Sequence, residues 1–225
     1  RKTSTYRVGD TDLAQAAARR NGQKRSRIQT ENRALIMQAA LDVFSTDGYR
    51  GATVDRLAER AGMSKTNLLY YYPSKEEIYR SAIEQTVEDW LDPFAAIDPD
   101  GDPIEELRRY ITIKLEMSDR YPEASRLFAN EIQRGAPLVG EFLRTRLKSL
   151  VDEKAAVIRS WIDQGKLAPV DPYHLVFTIW ATTQHYADFE VQVQAVLGSQ
   201  AKKPGFNEQV AHAVLSILLN GIRPR

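Results

Sequence analysis

Three helix starts crowd into one short stretch of this sequence, at Thr53, Ser64 and Ser74. Ser and Thr favour the position before a helix because their side-chain oxygen accepts from an unpaired backbone N–H of the first turn. Stops alternate with these starts, Gly62 before Ser64 and Pro73 before Ser74. Gly tolerates the left-handed backbone that ends a helix, and Pro cannot continue one. Ser74-Lys-Glu-Glu77 is in addition a capping box of the S-x-x-E kind. The stretch therefore reads as two short helices, Thr53–Gly62 and Lys65–Tyr72, followed by a longer one from Lys75 to about Leu91. Gly62 permits a sharp turn, and the small Ala58 and Ala61 let the two short helices pack closely, which makes a helix-turn-helix.

Helical spacing continues on both sides. Thr30 can cap a helix from about Glu31 to Asp47, with Leu35, Ile36, Ala39, Ala40, Val43 and Phe44 on one face and Gly48 as its stop. In the short helices, Val54, Leu57, Ala58 and Ala61 face inward, as do Leu68 and either Leu69 or Tyr72. Ile78, Ala82, Val87 and Trp90 lie along one side of the long helix. Asp92–Asp102, with Pro93, Pro99 and Gly101, reads as a linker. Asp102-Pro103 opens a helix to Tyr121, since Pro fits the first helical position, and Pro122 opens another to Gly135. Longer helices fit Pro137 to about Gly165, Asp171-Pro172 to about Gly198, and Asn207–Asn220. No stretch alternates cleanly as a strand does, so the spacing predicts about nine helices and an all-α fold.

Charge divides the chain. Residues 1–75 hold 14 basic and 7 acidic side chains, a balance of +7, and the remainder balances at −6, so the net charge is only +1. A basic first third on an acidic body points to a polyanion as partner of the N-terminal part. Residues 1–29, with 8 basic and 2 acidic residues and breakers at Gly9 and Gly22, read as a disordered basic arm. Cysteine is absent, which excludes disulfides, thiolate metal sites and a Cys nucleophile, and suits a reducing, cytoplasmic setting. Apolar runs such as Ala213–Leu219 fall short of the ~18 residues a membrane span needs.

The turn at Gly62 aims the second short helix at a partner. In a DNA-reading helix-turn-helix its N-terminal residues enter the major groove. Here they are Lys65, Thr66 and Asn67, with Tyr70 and Tyr71 a turn further on. Lys reaches guanine acceptors, Asn suits adenine, and Thr donates, accepts or touches a thymine methyl. Tyr hydroxyls, the capping residues Thr53 and Ser64, and the helix N-terminus at Lys75 suit backbone phosphates.

The run Thr53-Val-Asp-Arg-Leu-Ala-Glu-Arg-Ala-Gly-Met-Ser-Lys-Thr-Asn-Leu-Leu-Tyr-Tyr-Tyr-Pro-Ser-Lys-Glu76 resembles the DNA-binding signature of TetR-type repressors. The match covers residues 31–77 without a gap. The resemblance implies a homodimeric, all-helical, one-component regulator, in which residues 30–76 read a double-stranded DNA operator and 77–225 bind a small ligand and dimerise. One departure is Leu69, where the family usually places a phosphate-contacting Tyr, which moves that contact to Tyr70 and Tyr71. Further on, Lys114–Phe128, Gly135–Leu138, Gly165–Pro169, Trp180–Phe189 and Gly221–Arg225 resemble pyrimidine-utilisation regulators within that family. That implies a repressor of pyrimidine breakdown that leaves DNA when uracil or thymine binds. Residues 1–23 have no counterpart in the resemblance, and Gly198–Phe206 is variable.

A pyrimidine base is flat, neutral and rich in amide-like donors and acceptors, so it needs an apolar slot with a few aimed polar groups. Trp180, Thr183 and Gln184 fall near one face of the helix from Pro172, and Gln pairs with an amide edge in both directions. Phe128 and Phe177 can supply walls. Lys114, between Ile111 and Met117, either donates to a ligand carbonyl or snorkels to the surface. No cofactor and no metal is expected. The other outcome is a TetR-type repressor of another operon, such as efflux or a different catabolism, with a different ligand.

The last two helices should make a dimer, because Val210, Ala211, Val214, Leu215, Ile217, Leu218 and Leu219 cover a face too wide for one small bundle, and pairing with the same helices of a second copy hides it. A two-fold dimer implies a palindromic operator with half-sites about one DNA turn, or a multiple of it, apart. An enzyme is the main rival. His174, His185 and His212 are the only histidines, and His185 with Asp188 could hold a metal, but there is no H-E-x-x-H, phosphate loop or nucleophile elbow. A membrane-surface helix would need large apolar residues that the basic arm lacks.

Overall fold

The computed structural model describes the backbone of residues 9–224 and the side chains of residues 27–224, and it is helical throughout. Among the described residues there are eleven α-helices and no strand. They are α1 (Gly9–Gly51), α2 (Val54–Arg60), α3 (Lys65–Tyr71), α4 (Lys75–Ala95), α5 (Pro103–Arg120), α6 (Pro122–Gln133), α7 (Gly140–Phe142), α8 (Lys148–Asp163), α9 (Pro172–Asp188), α10 (Glu190–Leu197) and α11 (Phe206–Ile222).

The caps that organise residues 53–77 form as their residue types dictate. Thr53, Ser64 and Ser74 each accept from the backbone N–H three residues on, at 3.2, 3.2 and 3.1 Å. Gly62 takes φ +69°, and the bonds Gly62 N–H to Glu59 O and Met63 N–H to Ala58 O close a Schellman turn. Leu57, Ala58, Ala61, Leu68 and Tyr72 are buried as expected. So are Ile78, Ala82, Val87 and Trp90 of α4.

Several boundaries differ from the sequence reading. Residues 1–8 of the expected arm lie outside the described residues, but from Gly9 the arm is helical and runs into α1 without a break. Asp12–Arg20 is rich in Ala and Arg, and extending an existing helix needs no new nucleus. Thr30 is therefore inside the helix and not at its start. Leu35, placed on the apolar face, is 52% exposed, whereas Ile36, Ala39, Ala40, Val43 and Phe44 are buried. Gly48 interrupts α1 as expected, at φ 65° and ψ 174°, a conformation open mainly to Gly.

The Asp92–Asp102 linker is partly helix and partly packed loop. Pro93 sits in the last turn of α4, where it forgoes only one backbone bond. Ile97 is buried, its carbonyl accepts from Lys154 Nζ, and the Pro99 carbonyl accepts from Trp161 Nε1 at 2.9 Å. The helix expected over 137–165 starts as the short α7 and widens into a π-turn at Leu143–Leu147 before α8. The helix expected over 172–198 breaks at Phe189 into α9 and α10.

One apolar core runs from the head into the body. Ile36, Phe44, Leu57 and Leu68 join through Ile78 and Ile83 of α4 to Leu107, Ile111, Trp161, Val176 and Ile179. α1 packs on α2, α4 and α6, while α5 packs on α9 and α11. Four of the seven apolar residues expected at a dimer surface on α11, namely Val210, Val214, Leu218 and Leu219, are buried within the protomer instead. Ala211 and Leu215 are half-buried, and Ile217 alone of the seven stays exposed, at 73%.

Candidate functional site

Two constellations collect the chemistry. The first is the outer face of α3. Leu68 points into the core, so Ser64, Lys65, Thr66, Asn67 and Tyr70 stand in solvent on the other side. Lys65 pairs with Asp55 at 3.0 Å, but both side chains are exposed, and such a pair contributes little. The Lys65 ammonium can therefore exchange Asp55 for another anion. By contrast, Arg56 pairs with Asp47 and Arg60 with Asp42, both half-buried acids of α1, which brace α2 against α1.

Tyr71 is half-buried, and its hydroxyl accepts from Asn32 Nδ2 at 2.8 Å, which leaves its O–H proton to donate outward. Arg33 lies over the rings of Tyr71 and Tyr72 at 5.9 and 5.1 Å, holding the end of α3 against α1. Lys75 is placed differently from its sequence reading. Its ammonium donates to the carbonyls of Tyr49 and Ala52 at 2.8 and 2.9 Å and lies 4.5 Å over the Tyr49 ring. It fastens α4 to the α1–α2 turn, so any phosphate contact at this position falls to the backbone at the helix start.

The second constellation is inside the body. The buried stripe of α5 is Leu107, Tyr110, Ile111, Lys114 and Ser118, so two polar groups interrupt an apolar face. Lys114 is 2% exposed and has no hydrogen-bond acceptor among the described residues. Its ammonium lies 4.2 Å over the ring of Trp90 from α4. Burial pulls its pKa down to about 7, and the charge of Asp188 opposes that shift. Ser118, one turn on, is also buried, and its hydroxyl has no partner among the described residues.

Asp188 closes α9 and accepts from Ser125 Oγ of α6 at 2.5 Å. Burial raises its pKa, while the Ser125 bond and the charge of Lys114 pull the other way. Lys114 and Asp188 feel each other's charge yet form no ion pair. Phe128 of α6 packs edge-on to Trp90 at 5.4 Å and completes an aromatic wall. The residues missed from the sequence are thus Trp90, Ser125 and Asp188, from three different helices. Asp188 carried a hint, since the spacing of Trp180, Gln184 and Asp188 puts all three on one stripe of α9, and so did Ser125, three positions before Phe128.

The remaining expected pocket residues are dispersed. Trp180 Nε1 donates to Tyr110 Oη at 2.6 Å and packs near Phe94, so it belongs to the core between α4, α5 and α9. Phe177 is 51% exposed beside Trp180 and is no closed wall. Thr183 is buried, and its hydroxyl donates to the Ile179 carbonyl of its own helix at 2.8 Å. Gln184 is half-buried with no hydrogen bond among the described residues. A cavity of about 460 Å³ lies between α5, α9, α10 and α11, lined by Ser118 and Thr183 together with Leu115, Tyr186 and Phe206. His185 stacks on Phe189 at 5.1 Å, and the described residues include no group of three or more His, Cys, Asp or Glu placed to hold a metal ion. No helix among the described residues is long and apolar enough to cross a membrane.

A capped helix-turn-helix on an α-helical body with a buried polar cluster defines a class. The family model "Bacterial regulatory proteins, tetR family" matches residues 36–82, and "YcdC-like protein, C-terminal region" matches 83–225. The chain belongs to the TetR family of transcriptional regulators. Among individual proteins, it is 48% identical to the HTH-type transcriptional regulator RutR of Escherichia coli K12 over 213 residues, 95% of this chain and all of that one. A shorter match joins it to the transcriptional activator FasR of Mycolicibacterium smegmatis, 37% identical over 87 residues, 35% of this chain and 39% of that one. Among solved structures, the ketosteroid regulator KstR2 of Mycobacterium tuberculosis has the same fold, with a TM-score of 0.69 over 86% of this chain and 95% of that one at 21% identity.

Proposed function

We propose that the protein is a dimeric, ligand-responsive repressor that binds a palindromic operator through α3 and releases it when a pyrimidine base occupies the Lys114 cluster. The observation that carries the effector reading is a buried ammonium with no hydrogen-bond acceptor among the described residues, within reach of the charge of a half-buried carboxylate with which it forms no ion pair. Charged groups taken from water without full bonding are costly, and a ligand that supplies the missing bonds relieves the cost. The imide edge of uracil or thymine sets a carbonyl acceptor beside an N–H donor. The carbonyl accepts from Lys114, the N–H donates to Asp188, and Trp90 and Phe128 cover the flat ring. Cytosine, with an amino group and a bare ring nitrogen on that edge, mismatches the pair. The full-length similarity to RutR supports the same effector class, one the sequence reading linked to pyrimidine utilisation.

Lys65, Thr66, Asn67, Tyr70 and Tyr71 make the operator contacts in this reading, with Ser64 and Thr53 at the two helix starts. Phe177 and Ile217, on the outward sides of the packed helices α9 and α11, join the two-fold interface.

The test is thermal stability and operator binding with uracil, thymine, cytosine, uridine, a purine base and a large apolar drug. A ligand that binds only the folded state adds RT ln(1 + [L]/Kd), ~2.7 kcal/mol at a hundredfold excess over Kd. Stabilisation and operator release by uracil or thymine alone are the expected result. A response to the apolar drug with none to the bases would leave a TetR-type repressor of another operon and remove the Lys114 assignment.

A further inference from the structure

A second buried charge lies on α6, outside both constellations. Glu131 is fully buried and both its carboxylate oxygens are bonded. Oε2 accepts from Tyr79 Oη at 3.1 Å, and Oε1 accepts from the backbone N–H of Leu138 at 2.8 Å. Its carbonyl accepts from Ala136 N–H at 2.9 Å, which closes the turn after α6. In that turn Gly135 has φ 89° and Ala136 has φ 54°. A non-glycine residue at positive φ is held there by its surroundings, and here the bonds to Glu131 do the holding.

The partner, Tyr79, belongs to α4 and packs edge-on against Phe44 and Tyr49 of α1, both at 4.9 Å. Burial, then the charge of Glu131, raises the Tyr79 pKa, so its hydroxyl stays protonated and donates. Lys75, one turn earlier on α4, ties the same Tyr49 and Ala52 to the helix start. One bonded network therefore joins the end of α6 to the head. On the same α6, Ser125 and Phe128 belong to the Lys114 cluster, and Phe128 is a single turn from Glu131.

We propose that the Glu131–Tyr79 hydrogen bond is the latch that carries the state of the body to the reading head. For the identity of the effector it rests on the reading above. α6 is a short continuous helix, so displacement at Phe128 moves Glu131 with it. A buried carboxylate that lost its donor would keep the full desolvation penalty. Tyr79 and the rings of Phe44 and Tyr49 therefore follow Glu131, and the head shifts with them. Glu131 and Tyr79 are positioning residues that touch neither operator nor effector.

Tyr79→Phe removes the bond and keeps the ring contacts; Glu131→Gln keeps the shape and weakens the bond. Two quantities are measured on the full chain: the factor by which saturating uracil or thymine weakens operator binding, and amide exchange across residues 134–140 with and without operator DNA. Coupling between sites is typically about 5–150-fold. In Tyr79→Phe the release factor falls at least about fivefold, toward the lower limit of that range, while operator and effector affinities measured separately stay within about threefold. Operator binding slows exchange at Leu138 in the wild type and no longer does so in the variant. Unchanged release together with unchanged operator-dependent exchange in Tyr79→Phe would overturn the latch. If the wild type ignores both bases, the effector reading fails, and the exchange arm, which needs no effector, still decides the latch. If Glu131→Gln does not fold, Tyr79→Phe decides alone.

Discussion

The reading head and the effector body handle polar groups in opposite ways. On α3, Lys65, Thr66, Asn67 and Tyr70 are exposed, hydrated and lightly engaged, and an approaching polyanion can take them at little cost. In the body, Lys114 and Ser118 are buried with bonds missing, and the half-buried Asp188 beside them is held by Ser125. The head is thus a stable surface whose energy changes with salt, and the body is a strained interior whose energy changes with ligand and proton. A regulator needs both. Operator affinity has to be strong in the ground state, and effector binding has to do work on the structure.

That contrast can be broken most sharply at Lys114. Lys114→Met keeps volume and removes the charge. The ligand-free protein should become more stable by about 1–4 kcal/mol near pH 6, because a buried uncompensated charge is gone. Stabilisation by uracil or thymine should vanish from the same melting curves. A destabilised variant that still responds would mean that Lys114 is already fully bonded and that the effector sits elsewhere.

Proton dependence sharpens the same difference. Lys114 titrates at about 7 when folded and near 10.4 when unfolded. Between those values the unfolded chain binds more protons, so this group makes stability rise with pH across that window and fall as pH drops through about 7. A ligand carbonyl that accepts from the ammonium favours the protonated form. Effector affinity should be full below pH 7 and decline up to tenfold per pH unit above it, as titration calorimetry from pH 6 to 8.5 would show. A flat profile in the wild type, or a sloped one in Lys114→Met, would assign the pH response to another group.

On the head the effects are smaller and differ in kind. Lys65→Ala should weaken operator binding about tenfold, within the ~1–3 kcal/mol of a base contact, or lower the salt slope by about 1 if the contact is a phosphate. Effector stabilisation should be untouched. Loss of both functions would mean that the variant disturbs the core that head and body share. Smallest is Ser64→Ala, which deletes the α3 cap bond to Asn67 and should cost about 1 kcal/mol of stability in a chemical denaturation curve, with Ser64→Gly milder.

The head was nearly all legible in order of residues. Caps, stops and apolar spacing act within a few positions, so Thr53, Gly62, Ser64, Pro73 and Ser74 announced helices that form where expected. What escaped there was longer in range. Lys75 reaches back across more than twenty positions to the Tyr49 and Ala52 carbonyls, and only packing decides that choice. The body was legible in its helices and much less in its site. Lys114 and Phe128 were picked from local pattern, and Ser125 lies three positions before Phe128 on the same helix, yet Trp90 and Asp188 come from other helices and share no spacing with them. Trp180 looked like a pocket residue because sequence shows which side chains have polar handles and conceals that Tyr110 already engages it, while Thr183 lines a cavity with its hydroxyl held by the Ile179 carbonyl.

The order of residues by itself determined the all-helical class, the helix-turn-helix and its exposed tip, and the charge split between head and body. These follow from capping, periodicity and composition, which are local or additive. Tertiary structure alone decided which polar groups are left without partners. A lysine on an apolar helix face can snorkel to water or stay buried. At Lys114 the outcome depends on Trp90 and Asp188, brought in by α4 and α9, because burial is a property of everything packed around a group.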